Sequence, residues 1–349
     1  MASPIRIGIL NDTAAAPPGQ TDIQRWLKMV ADEFVGSGRL DRPVEFINSW
    51  GLGLPQGSAA DVERAFKSLV DEDVLLITGP AIGDNALIAT PLAEQFGVPT
   101  INWAGSERAR SEWMFHLQVG SHEDESIVIA QHVAAQRLER IGIIYDKSPI
   151  GRRYHHFFMA EAEIIGLEVV ATVGISPLTT DASGEIDRLT RQPLDAIVYL
   201  GLGHAVLPVA RELTEIGWAR PRIMNTAGIR GYFGEFAEAI ESWKYLDMFS
   251  DCNITLNTLC NKLEDPILKR TGVAKGYDLG RLAMEGIARA DELTRHGVKR
   301  GLELIKWLPA AEGYEGTLLG FGNQDRGALH GRYLVVRQWL NGKSVQVDA

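Results

Sequence analysis

Short apolar runs rich in β-branched residues alternate along the chain with segments whose apolar positions recur every three or four residues. Ile5–Leu10 (IRIGIL) shows the first pattern and reads as a strand. Residues 21–34 show the second, with Ile23, Trp26, Leu27, Val30 and Phe34 on one helical face. The alternation continues with strands at Val44–Asn48, Val74–Thr78 and Pro99–Asn102 and helices at Ala59–Val70 and Asp84–Phe96. Gly97 follows the last helix where a left-handed residue commonly ends one. Such a βαβαβαβ order predicts parallel strands covered by helices on both faces.

The rhythm then restarts. Helices are expected at Ile127–Leu138, Tyr154–Ile165, Ile186–Arg191 and Ala205–Ile216, with Gly166 and Gly217 closing two of them. Strands are expected at Ile141–Asp146, Leu167–Val173, Ala196–Leu200 and Arg222–Asn225. The join between the two runs falls in the polar segment His116–Ser126. Beyond Lys244 the pattern changes to a long amphipathic helix at Ala274–Leu293, a further helical segment at Val298–Trp307 and a C-terminal hairpin. Asn341-Gly342 marks its turn, because the tight hairpin turn needs positive φ at both central residues. These late pieces are too small for a third domain and are expected to complete the first two. The 349 residues agree with two domains at roughly 150 each. A fold of that size buries about 70% of the surface its unfolded chain exposes.

Composition is that of a globular protein, 45% hydrophobic and 23% charged. The net charge of -10 opposes docking on phosphate backbones and anionic membranes, so neither nucleic acid nor a membrane is an expected partner. No apolar stretch approaches the ~18 residues of a membrane span, and the N-terminus shows no signal-peptide pattern. The expected location is periplasmic or cell-surface if a leader has been removed, and otherwise cytoplasmic. Cys252 and Cys260 are the two cysteines, as ready to be free thiols as a local disulfide. No metal site, cofactor or catalytic residue is expected: zinc-protease, P-loop and nucleophile-elbow motifs are missing. Gly201-Leu202-Gly203-His204-Ala205-Val206 lacks the third glycine of a dinucleotide fingerprint, and no acidic residue ends the following strand. Adjacent His155 and His156 point about 100° apart on a helix and cannot chelate together. Arg108 and Arg110 read as a solvated helix face.

The order of elements, with Ile77–Ser106, Ile141–Val170, Gly276–Ala290 and Tyr314–Lys343, resembles the type I periplasmic solute-binding proteins, in the branch of leucine/isoleucine/valine-binding proteins of ABC importers. The resemblance covers nearly the whole chain. It implies an α/β fold of two Rossmann-like lobes joined by a three-crossover hinge, residues 1–120 with 252–325 and residues 121–251 with 326–349. Open α/β sheets bind ligands beyond the carboxyl ends of their strands, so two such lobes would close on a small molecule in a shared cleft.

Several loops become candidates on that basis. Gly83 and Asp84 follow the third strand and open a helix; the loop reads as an anion site built from main-chain N–H groups, or as an ordinary N-cap. The family commonly has serine where Gly83 stands. Trp103, Ala104, Gly105 and Ser106 follow the fourth strand, Ala104 and Ser106 matching positions that offer a carbonyl and a hydroxyl to ligand. Trp103 would stack on the ligand or pack on the neighbouring helix. The second lobe offers Ile150, where amino-acid binders often have tyrosine, with Tyr154, Gly203, His204, Thr226 and Ala227. Amino-acid binders place an acidic residue near Ala227 to hold the ligand's ammonium, and an alanine cannot. The expected ligand is therefore a carboxylate or a neutral apolar or aromatic compound. The loop from Trp50 through Gly57 would cap the cleft rim or be plain surface. The resemblance implies ABC permease subunits as partners. The alternatives are a cytoplasmic sensor of the same fold for an amide or amino-acid-type ligand, and a cofactor enzyme on the same scaffold.

Overall fold

The computed structural model describes residues 3–15, 22–263 and 269–347. Thr21, expected to open the first helix, lies outside the described residues. The chain divides into two compact units, Met1–Val119 with Met248–Tyr333 and Gly120–Asp247 with Leu334–Ala349.

The first unit opens with β1 (Ile5–Asn11), α1 (Asp22–Gly36), β2 (Val44–Trp50), α2 (Ala59–Asp71), β3 (Leu76–Thr78), α3 (Gly83–Phe96), β4 (Thr100–Asn102) and β5 (Met114–His116). Its sheet runs β2-β1-β3-β4-β5, every pairing parallel. Alternation along β1 and β3 sends Ile7, Ile9 and Leu76 to one face and Leu10 and Ile77 to the other, and both faces are packed. Ser58 caps α2 by accepting the Asp61 amide, and Gly97 ends α3 at φ 57°.

The second unit contains α4 (His122–Ala135), β6 (Arg140–Asp146), α5 (Pro149–Ile165), β7 (Glu168–Ile175), α6 (Ser183–Thr190), β8 (Ala196–Leu200), α7 (Val206–Glu215), β9 (Arg222–Met224), a 3₁₀ turn (Thr226–Tyr232), α8 (Gly234–Ala239) and β10 (Lys244–Asp247). The segment expected to be a polar join is helical from His122, because Ser121 caps it and three acidic residues fill its first turn. The parallel strands run β7-β6-β8-β9-β10, the same winding as in the first unit.

The chain then returns to the first unit with α9 (Ile254–Leu263), α10 (Arg270–Ala288), α11 (Arg295–Glu303) and the short antiparallel strands β11 (Leu308–Pro309), β12 (Leu318–Leu319) and β13 (Leu329–His330). The expected helix at Ala274–Leu293 starts earlier and stops earlier. The next begins at Arg295, not Val298, because Thr294 caps it through the Gly297 amide. α10 packs on α1, where a Cβ on Gly276 would lie 2.4 Å from Trp26 Cδ1. Residues 326–333, expected in the second lobe, stay with the first unit. The reason is local: the His116 amide donates to the Arg326 carbonyl, the Ala328 amide donates to the His116 carbonyl, and β13 pairs with β12.

Last come β14 (Val335–Leu340) and β15 (Lys343–Gln346), which extend the second sheet antiparallel beside β10. Asn341 and Gly342 both have positive φ, 53° and 69°, as the hairpin turn demands.

Candidate ligand-binding loops

Both parallel sheets have the strand order 2-1-3-4-5, so each has a switch point where successive connections leave in opposite directions. These points lie at β1/β3 in the first unit and β6/β8 in the second. A buried aspartate stands at each.

In the first unit Asp12 follows β1 and is buried. Its carboxylate accepts the Ala81 and Ile82 amides at 2.9 and 3.0 Å and the Asn85 side-chain amide at 2.8 Å. Burial raises its pKa against the pull of those donors. Two of the amides expected to serve an external anion are thus taken by the protein's own carboxylate. The N-cap of α3 is Ile82, without a side-chain cap bond, so neither Asp84 nor Asn85 caps it. Gly83 is buried at the first position of α3 and Asp84 is half-buried beside it. Asn85 also exchanges bonds with both backbone groups of Leu54, and the Gly51 and Gly53 amides donate to Asn11 and Asp12 carbonyls. The Trp50–Gly57 loop is therefore fastened across the end of β1.

The loop after β4 is also built tightly. Asn102 donates to the Ala109 and Phe115 carbonyls and accepts the Ala104 amide. Trp103 donates its amide to the Pro80 carbonyl, and the Lys275 ammonium sits 4.4 Å from its ring centroid. Ala104 is buried, and its carbonyl accepts from His116 Nε2 at 2.6 Å. Arg110 Nε donates to His116 Nδ1 at 3.0 Å, which leaves the proton of the neutral ring on Nε2. Burial holds the His116 pKa down to about 3. Arg110, expected on a helix face, lies instead in irregular chain just past the turn at residues 107–108 and reaches His116 and, at 3.5 Å, Asp325. Gly105 is half-buried. Ser106 is 0% exposed, and its hydroxyl has no hydrogen-bond partner. One carboxylate oxygen of the adjacent Glu107 is likewise buried without a partner.

In the second unit Asp146 ends β6. It accepts the Tyr199 hydroxyl at 2.5 Å and the Leu202 amide at 2.7 Å, and burial raises its pKa. This mirrors Asp12: in each unit an aspartate after the first strand holds the amides of the loop after the third. Ser148 caps α5, placing buried Ile150 in its first turn and buried Tyr154 one turn on. Tyr154 and Thr226 meet at Glu125, which accepts the Tyr154 hydroxyl at 2.6 Å, the Ser121 amide at 2.9 Å and the Thr226 amide at 2.6 Å. Gly203, His204 and Ala227 meet at Arg230. A Cβ on Gly203 would stand 2.8 Å from the Ala227 Cβ and 3.0 Å from Arg230 Cδ, and His204 Nε2 faces Arg230 Nη2 at 3.0 Å. Asp12, Asp146, Glu125 and Arg230 were not among the site residues expected from the sequence. The signal for Asp12 and Asp146 was their place just after the first strand of each winding.

Among the described residues, no group of three or more His, Cys, Asp or Glu is arranged to hold a metal, and no helix is long and apolar enough to cross a membrane. Cys252 and Cys260 are free thiols.

Two doubly wound units of the same strand order, each entered by two separate stretches of chain, define a type I periplasmic binding protein fold. The chain belongs to the periplasmic binding protein family, whose sequence profile matches residues 4–338. Its fold is similar to that of a type 1 periplasmic binding protein from Bordetella pertussis Tohama I, with TM-score 0.81 and 17% identity over 99% of this chain and 100% of the other. It is similar to the leucine binding protein LivK from Thermotoga maritima, with TM-score 0.79 and 15% identity over 99% and 98%. Similar too is the branched-chain amino acid transporter substrate binding protein LivJ from Streptococcus pneumoniae, solved with isoleucine, with TM-score 0.81 and 18% identity over 98% of each chain. No curated protein sequence matches the chain significantly.

Proposed function

We propose that the chain is the solute-binding component of an ABC importer, and that its ligand is a small carboxylate or a neutral apolar or aromatic compound, not an α-amino acid. In that role it hands its ligand to permease subunits from the periplasm or cell surface and performs no chemistry. The observation that carries the reading is Ser106. A fully buried hydroxyl without a partner costs stability unless something else supplies the hydrogen bond. It stands in a loop beyond the carboxyl end of β4, where open α/β sheets receive ligands. The family and the leucine- and isoleucine-binding proteins of like fold support the binding role. Ala227 argues against their ligands, since it offers no counter-charge to an ammonium group.

A thermal-shift screen against amino acids, aliphatic acids, aromatic acids and amides tests the proposal. A true ligand at about 100 times its Kd stabilises the protein by ~2.7 kcal/mol. The expected hit is an acid or a neutral compound. A screen led by leucine, or one with no response at all, contradicts the proposal.

A further inference from the structure

Arg230 lies in the 3₁₀ turn after β9, half-buried, and reaches back to the loop after β8. Its Nε donates to the Leu202 carbonyl at 2.6 Å and its Nη2 to His204 Nε2 at 3.0 Å. Both partners are neutral: burial, aided by Arg230 itself, holds the His204 pKa down to about 4, so its ring accepts at neutral pH. Among the described residues, no carboxylate lies within ion-pair distance of the guanidinium, and Nη1 meets no protein acceptor. Arg222 shares this lack of a carboxylate, but its guanidinium donates to the Ser242 hydroxyl and lies over the Trp243 ring, whereas two other arginines are ion-paired. Arg39 meets Glu285 at 2.7 Å and Arg326 meets Glu303 at 2.6 Å. Asp146 acts on Arg230 only across space, and its oxygens are turned to Tyr199 and Leu202. A cation withdrawn from water without a counter-ion is disfavoured unless a partner arrives.

The surroundings fit an arriving acid. Gly203 lies against both the Ala227 methyl and the Arg230 stem, and neither Gly203 nor Ala227 carries a side chain larger than a methyl group. Ala227 adds no acid that would neutralise it. A phosphate would call for free main-chain amides, and the Leu202 amide here is bonded to Asp146. We infer that Arg230 is the counter-charge for a carboxylate group of the ligand, received beside Gly203 and Ala227. The inference rests on the solute-binding reading and narrows its ligand to an acid.

Calorimetric titration with matched pairs, benzoate with benzamide and phenylacetate with phenylacetamide, tests this on the full chain, with leucine as a third class. The wild type is expected to prefer an acid over its amide by about tenfold or more, the scale of one charge-assisted hydrogen bond. Arg230→Gln should erase that preference while leaving amide affinity within about threefold. Arg230→Lys keeps the charge and should keep part of the preference, which covers the case in which the glutamine variant fails to fold. An unchanged preference in Arg230→Gln overturns the inference, as does an equal loss of acid and amide binding in Arg230→Lys. Binding of an amide without any acid overturns it, as does binding of leucine, itself a carboxylate, that Arg230→Gln leaves unchanged; either result leaves the solute-binding role standing, though leucine binding removes the exclusion of α-amino acids. No binding in any of the three classes removes both.

Discussion

Glu125 Oε1 accepts the Tyr154 hydroxyl proton at 2.6 Å, and the same carboxylate takes the Ser121 and Thr226 amides. One buried side chain thus joins the start of α4, the middle of α5 and the turn after β9. Burial lifts its pKa to about 7 in spite of those donors. Below the ordinary glutamate range, near pH 4.5, folded and unfolded chains both hold the proton. Between there and about 7 the unfolded chain has released it while the folded chain keeps it, so stability falls as pH rises through this window and levels off above it. The loss should be on the order of 1–3 kcal/mol. Urea unfolding at about pH 5 and about pH 8 should show a larger fall in the wild type than in Glu125→Gln, which keeps the raised Asp278 but loses this group. Parallel pH dependence in the two proteins would contradict it.

Asp12 should be a stability determinant of the first unit. Asp12→Asn keeps the shape but replaces an acceptor oxygen with a donor facing the Ala81 or Ile82 amide or the Asn85 side chain. The expected loss is about 1–3 kcal/mol in urea unfolding. A change under about 0.5 kcal/mol would mean the loop holds itself.

Gly276→Ala should also destabilise. In an exposed helix alanine gains roughly 1 kcal/mol over glycine. Here the added methyl would meet Trp26 at 2.4 Å, so the sign reverses and about 1–3 kcal/mol is lost. A rise in the unfolding midpoint would show that α1 and α10 can separate freely.

The windings were legible because their strands are buried on both faces: Ala196–Leu200 is wholly buried and reads as an unbroken apolar run. Gly97, Gly166 and Gly217 marked helix ends, and each has the expected positive φ. Three-residue strands such as Thr100–Asn102 were legible because a helix ending in glycine precedes them in the alternation; Met114–His116 and Lys244–Asp247 lack that context, and Leu308–Pro309 and Leu329–His330 are shorter still. The site was less legible than the fold. Loops could be placed by the strands they follow, which named Ser106, Tyr154, Gly203 and Thr226. The groups that bring them together could not, because those bonds span 73 positions from Asp12 to Asn85 and 101 from Glu125 to Thr226. Arg230 was hidden for a related reason: it has the Leu202 carbonyl, the His204 ring and the Phe236 ring as neighbours but no carboxylate, and sequence does not display that lack.

Ser106→Ala separates ligand recognition from folding. Removing a buried hydroxyl that has no protein partner should leave stability within about 0.5 kcal/mol of wild type, or raise it. The same change should weaken ligand binding by about tenfold, the worth of one hydrogen bond. Unfolding curves and titrations on the two proteins check both halves. A large loss of stability would show that the hydroxyl serves the fold instead.

The central claim, that this chain binds a small molecule other than an α-amino acid, is tested most directly by titrating it with leucine and with 4-methylpentanoate, which is leucine without its ammonium group. The acid should bind at least about tenfold more tightly: both compounds offer Arg230 the same carboxylate, but Ala227 gives the leucine ammonium no counter-charge. Micromolar binding of leucine, equal to or tighter than that of the acid, would contradict it.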